Sequence, residues 1–275
     1  MTLAPILAAI VAHKRDEVAA FKRSVPAEGL AERAAARREE QGAARSLVEA
    51  MRRHTVTANV IAEVKRASPS RMLRPVGFDP VAIAKGYETA GAAAISCLTD
   101  ARFFCGSGSY VPLIRHEVGL PVLRKEFVID PIQLVETAAL GADAVLLMAI
   151  LFDSPDAFAE MYETAEGLGL TPLVEIGDEN EWERVAGCEP ELVGINNRDF
   201  ASPDLALDLA RTERLAPGLP GGVTLVSESG VSTPADIVRL KKCGVSGFLI
   251  GSALMKEDDP GGALASLLAG VAAHR

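Results

Sequence analysis

Aromatic residues are scarce, at 5% of 275 with a single tryptophan, so the core cannot be built mainly on rings. No CxxC pair occurs: Cys97, Cys105, Cys188 and Cys243 stand apart in apolar or loop contexts. That excludes a zinc ribbon or disulfide framework and leaves reduced cytosolic thiols, with no metal site expected. No apolar run approaches the ~20 residues of a membrane span. The apolar start at 3–12 lacks a basic leader and runs into His13-Lys14-Arg15-Asp16-Glu17 with no cleavage-like site. It reads as an amphipathic helix, so no membrane role and a cytoplasmic location are expected. Positive charge is also in deficit, with a net −9, which argues against a nucleic-acid partner. Neither GxGxxG nor GxxxxGK[ST] is present. The stretch Gly106-Ser107-Gly108-Ser109 lacks the lysine of a phosphate loop and reads as a flexible turn.

What is present is aliphatic: 49% of residues are hydrophobic, mostly Ala, Val, Leu and Ile, as in helix-covered parallel strands. Five strand-like runs end in charged or amide residues: Val60 to Lys65, Pro121 to Lys125, Pro172 to Glu175, Leu192 to Arg198 and Val223 to Glu228. A buried charge without a partner costs several kcal/mol, so five such ends suggest strands opening into one polar pocket. Strands are expected near 59–65, 93–98, 120–124, 143–149, 171–176, 191–196, 222–227 and 247–250. Helix signals lie between them. Asp79-Pro80 opens one helix, and Ser232-Thr233-Pro234-Ala235-Asp236 opens another that stops at Gly244. Eight strand–helix units imply an α/β fold, a (β/α)8 TIM barrel with its chemistry at the C-terminal strand ends. The whole chain, 1–275, is expected as one barrel domain, with about 1–57 as an N-terminal helical extension. The mixed charges of 31–53 read as a solvated helix face.

The strand ends supply candidate chemistry. Glu63 and Lys65 lie two apart and point to the same side. Lys125, unperturbed near ~10.4, stays protonated beside a carboxylate such as Glu63 and can donate a proton. Glu175 and Glu228 offer carboxylates for base and orienting roles. Asn196 and Arg198 supply an amide and a planar cationic fork suited to carboxylate or phosphate. Ser229-Gly230 after the seventh strand and Gly251-Ser252 after the eighth stand where barrels bind phosphate. A phosphorylated small molecule is therefore the expected partner.

Four blocks, in order on the expected strands, resemble the indole-3-glycerol-phosphate synthase family of tryptophan biosynthesis. They are Ile61 to Ser70, Leu123 to Phe127, Gly194 to Asp199 and Ser227 to Gly230, and the resemblance runs over nearly the whole chain. It implies a cofactor-free lyase. In that reaction 1-(2-carboxyphenylamino)-1-deoxyribulose 5-phosphate closes a ring and loses CO2 and water. By resemblance Lys125 is the catalytic lysine, Glu175 the base, Lys65 a second acid and Glu63 its partner. Asn196, Arg198 and Glu228 would hold substrate and catalytic groups. Ser68 and Lys65 would face anionic groups, and Ser229, Gly230, Gly251 and Ser252 the phosphate. Phe127, Pro69 and Phe104 would pack the anthranilate ring.

Departures from the family pattern fall in loops: Met72 after Arg71 where glycine is usual, Cys105 for glutamine, Ile132, Gly177 beside Glu175, and Pro203. They touch ring preference, loop closure and rate. The pathway's isomerase barrel, which relies on a Cys/Asp pair at strands one and five, is excluded because Glu63 and Glu175 stand there. A non-catalytic scaffold would be expected to lose at least one of Lys125, Glu175 and Glu63. No exposed apolar stripe declares a protein partner; a monomer is the default, though the sequence does not determine it.

Overall fold

Eight parallel strands close into a barrel in the computed structural model, which describes residues 3–53, 57–74 and 76–274. The strands are β1 Asn59–Val64, β2 Ala94–Leu98, β3 Val122–Lys125, β4 Ala144–Met148, β5 Thr171–Ile176, β6 Leu192–Asn196, β7 Thr224–Glu228 and β8 Gly247–Ile250. Each pairs with its chain neighbours, and β1 pairs with β8 to complete the ring. All eight expected strands are present within about two residues at each end.

Alternation explains the burial on both faces. Outward residues such as Val60, Ala62, Ile95, Val145 and Val193 pack under the helices. Inward residues Ile61, Leu123, Leu146, Leu173, Val226 and Leu249 fill a second cluster inside the ring. Side chains two apart share a face, so the inward set continues to Glu63, Lys125, Glu175, Asn196 and Glu228 at the strands' C-terminal ends.

The helix signals hold. Asp79 caps Pro80–Thr89 through Val81 and Ala82 N–H groups. Thr233 and Asp236 form a reciprocal cap on Pro234–Lys241. The Gly106–Ser109 stretch is a hydrogen-bonded turn rather than a flexible one: Gly106 N–H donates to Asp100 O at 2.8 Å, and the Ser107 and Ser109 hydroxyls are 2.8 Å apart.

Three helices precede the barrel: α1 Pro5–Ser24, α2 Ala27–Gln41 and α3 Leu47–Arg52. The parts of the helical expectation at 1–2 and 54–56 lie outside the described residues. Helix α1 lies over the mouth, its Leu7, Ile10 and Val11 buried with Phe127, Met148 and Phe104. Each such side chain contributes about 1.5–3 kcal/mol. Helix α2 packs along Pro131–Leu140 on the barrel wall, burying Leu30 and Ala34. Helix α3 closes the opposite end, where Arg52 Nε donates to Thr224 Oγ1 at 2.7 Å and Asn59 Nδ2 to Met51 O at 2.8 Å. The 31–53 segment is therefore not simply a solvated face: Leu47, Ala50 and Met51 are wholly buried. Among the described residues no helix is long and apolar enough to cross a membrane.

Candidate active site

The inward positions at the strand ends converge as one ionic cluster. Lys125 Nζ lies 2.6 Å from Glu228 Oε2 and 3.9 Å from Glu175 Oε2. Lys65, just past β1, places Nζ 2.5 Å from Glu63 Oε2. Glu63, Glu175, Glu228 and Asn196 are all buried. Lys125's direct partner is thus Glu228 and not Glu63, which acts on it from farther away and pairs with Lys65. The reason is closure: β3 and β7 stand opposite each other in an eight-stranded ring, and two long side chains span it.

Two glycines make room for these carboxylates. A Cβ at Gly194 would stand 2.1 Å from Glu228 Oε1, and one at Gly251 would stand 2.0 Å from Glu63 Oε2. Gly251 therefore seats Glu63, whatever else it does. Glu228 Oε1 is buried and accepts no hydrogen bond within the described residues.

The cluster holds three carboxylates against two lysines, and its protonation follows from that. Burial works against the Lys125 charge, but Glu228, Glu175 and Glu63 outweigh it and hold the ammonium above its ordinary value. Burial, then the Glu228 charge, pushes Glu175 up to about 8, against the opposing pull of Lys125 and Asn196. Burial would also raise Glu63, but Lys65 and Lys125 hold it below the usual carboxylate range. A protonated lysine beside a carboxyl pushed up to about 8 has the chemistry an acid–base pair requires.

Around the cluster the other expected residues take separate places. Phe104 and Phe127 form a wall, their ring centroids 5.9 Å apart. Ser68 lies in a two-stranded ribbon, Ala67–Ser68 against Arg71–Met72, and its hydroxyl donates to Arg71 O at 3.3 Å. Pro69 is exposed at the ribbon's turn, and the ribbon packs beside Ala101–Phe104. Arg198 is half-buried and one arm of its fork is spent on Leu205 O at 3.2 Å, while its N–H binds Asn196 Oδ1 at 2.9 Å. Ser229 and Gly230 adopt left-handed φ values of 64° and 83°. Ser252 is exposed and starts the short helix Ser252–Met255.

Of the departures from the family pattern, Met72 is exposed in the ribbon and pairs with Ala67. Cys105 takes a left-handed φ of 53°. A hollow of about 410 Å³ lined by Glu49, Arg52, Tyr162, Glu166 and Glu191 opens at the far, N-terminal end. It shares no residue with the cluster.

The family model for indole-3-glycerol phosphate synthase matches residues 7–267. The chain belongs to the indole-3-glycerol phosphate synthase family. It is 40% identical to the indole-3-glycerol phosphate synthase of Laribacter hongkongensis over 97% of this chain and 100% of that one. Those of Burkholderia vietnamiensis and Desulfotalea psychrophila are 42% and 43% identical, each over 96% of this chain and 99% of theirs. Membership in the indole-3-glycerol phosphate synthase family extends through the N-terminal helices, since the match begins within α1.

Two residues of this synthase-family chain escaped the sequence reading. Lys14 of α1 is buried, with Nζ 2.5 Å from Glu17, 3.0 Å from Asp100 and 3.0 Å from Glu126. Its spacing from Leu7, Ile10 and Val11 on one helical face was the available signal. Asn197 is wholly buried between β6 and β7; an amide inside a strand-end motif was the only hint.

Proposed function

We propose that this chain converts 1-(2-carboxyphenylamino)-1-deoxyribulose 5-phosphate to indole-3-glycerol phosphate, with Lys125 and Glu175 as its acid–base pair. The observation that carries this reading is Lys125 Nζ lying within 4.0 Å of both Glu228 and Glu175 at a barrel mouth. Family membership supplies the substrate.

Ring closure joins the ring carbon that bears the carboxylate to the ketone carbon. The carbonyl π pair moves to oxygen, which takes a proton from the Lys125 ammonium. Loss of CO2 returns its bonding pair to the ring and restores aromaticity. The new hydroxyl then leaves as water with a proton from Lys65, and Glu175 takes the proton from the adjacent methylene to form the indole double bond. These steps balance without an oxidant or a further reactant, and the protein's task is to orient groups and move protons.

Glu63 keeps Lys65 charged and placed, and Glu228 does so for Lys125. Asn196 and Arg198 orient Glu175 and the substrate's polar end. Phe104, Phe127 and Pro69 form the ring wall. Ser68 and Lys65 face the anionic groups, while Ser229, Gly230, Gly251 and Ser252 take the phosphate.

Pure protein incubated with the substrate should release indole fluorescence. Lys125→Ala should cut turnover by about a thousandfold or more while binding of substrate by its phosphate persists. Intact turnover in that variant would remove Lys125 from the chemistry.

A further inference from the structure

Asn197 stands beside the catalytic amide Asn196 but faces away from the barrel mouth, and its hydrogen bonds gather on one turn. Its Nδ2 shares two hydrogens among three acceptors, Ser227 Oγ at 2.9 Å, Glu228 O at 2.9 Å and Ser229 O at 3.0 Å. Its Oδ1 accepts from Thr212 Oγ1 at 2.8 Å and Thr212 N at 3.3 Å. Both Asn197 and Thr212 are wholly buried. A buried amide with every group engaged holds one orientation, because turning it would leave several polar atoms unpaired.

The turn it grips is strained. Ser229 is a non-glycine residue at φ 64°, followed by Gly230 at φ 83°. A left-handed serine persists only where its surroundings hold it. The grip also has a direction. In a trans peptide the N–H points opposite the preceding C=O. With Glu228 O and Ser229 O both turned toward Asn197, the N–H groups of Ser229 and Gly230 are turned away from it together. Among the described residues neither N–H donates to a loop or turn acceptor. Two successive free N–H groups on one side of a turn form a concave anion seat.

We propose that Asn197 is a positioning residue for the phosphate end of the substrate, acting by holding the Ser229–Gly230 turn with both N–H groups presented. This rests on the phosphate assignment made above for that turn. Through Glu228 O the same amide also ties the phosphate seat to the strand end that carries Lys125's partner.

The test uses the full chain and three variants, Asn197→Asp, Asn197→Ala and Thr212→Val, with inorganic phosphate as a competitive probe. For Asn197→Asp and Asn197→Ala, KM and the phosphate inhibition constant should rise together by about tenfold or more, with kcat falling less. Thr212→Val frees the amide from behind and should raise both constants severalfold. If the Asn197 variants do not fold, Thr212→Val decides by the same criterion. Should phosphate inhibit the variants as well as the parent while kcat or melting temperature alone drops, Asn197 is merely structural and the inference falls. If phosphate does not compete with substrate in the parent protein, the phosphate assignment fails first and takes this inference with it.

Discussion

Two lysines on the same barrel rim, Lys14 buried and Lys125 half-buried, each face three carboxylates, yet the two clusters are built differently. Lys14 meets Glu17, Asp100 and Glu126; Lys125 meets Glu228 and Glu175, with Glu63 behind. They are near neighbours, since Glu126 follows Lys125 at the end of β3 and points to the opposite face. In the Lys14 cluster the carboxylates have other donors. Asp100 Oδ1 takes Phe103 N–H at 2.7 Å, and Glu126 takes Phe127 N–H at 2.9 Å and the Thr99 hydroxyl at 2.7 Å. In the Lys125 cluster Glu228 Oε1 accepts nothing and Glu175 is pushed up to about 8. The Lys14 latch ties its carboxylates mainly to backbone and hydroxyl donors, although Asp100 Oδ2 has only the Lys14 ion pair at 3.0 Å; in the proposed acid–base site more of that capacity stays open to a substrate.

That contrast is broken most severely at Glu175. Glu175→Gln should lower turnover by about 10²–10⁴-fold with little change in KM. The same variant should gain stability at alkaline pH. Glu175 rises from an ordinary 4.5 to about 8 on folding, so between those values the folded chain holds a proton that the unfolded chain releases. Stability is therefore lost as pH climbs through that window, and a neutral glutamine escapes the loss. Thermal melts of both proteins at pH 6 and pH 9 would check it; an equal difference at the two pH values would contradict the assignment. In the parent protein kcat should rise toward pH 8 as the base ionises while Lys125, held above its ordinary value, stays charged. A rate that falls through pH 8 would reverse the acid and base roles.

The latch should fail by a different route. Lys14→Met leaves Asp100 and Glu126 buried without their cation and should cost about 3–5 kcal/mol in denaturant unfolding. Turnover per folded molecule should fall far less than in Glu175→Gln. Comparable losses in kcat would mean that the latch takes part in the chemistry.

Gly194→Ala sharpens the other cluster. Its Cβ would stand 2.1 Å from Glu228 Oε1, so the carboxylate must move off Lys125, and kcat should drop by about tenfold, at a cost of roughly 1–3 kcal/mol in stability. An unchanged kcat would show that Lys125 does not depend on Glu228. The smallest effect belongs to Lys22→Ala, which breaks a surface pair with Asp130 at 2.6 Å and should change stability by less than ~1 kcal/mol.

Much of this was legible beforehand. Strand after strand, an apolar run of period two ended in a charge, and the period alone put Glu63 and Lys65 on one side. The caps at Asp79 and Thr233 were readable because they act within a few residues of their own position. The family match was readable from the motifs at β1, β3, β6 and β7. What escaped notice depends on neighbours distant in the chain. Lys14 looked like an ordinary charge on an amphipathic helix until α1 was laid across Asp100 and Glu126. Arg124 looked like part of the polar end of β3, yet it faces outward to Thr99, Thr137 and Glu136. Helix α3 looked solvated because the barrel floor that buries it is assembled from distant residues such as Thr224, 172 positions beyond Arg52.

The amino-acid order by itself determined the strands and helices, the inward or outward parity of each side chain and the kinds of groups at the mouth, because those follow from local periodicity. Only the closed tertiary structure decided that Lys125 of β3 meets Glu228 of β7 and that Asn197 holds the turn at Ser229. Those pairings come from the diameter and register of the closed ring, and no short stretch of chain carries that information.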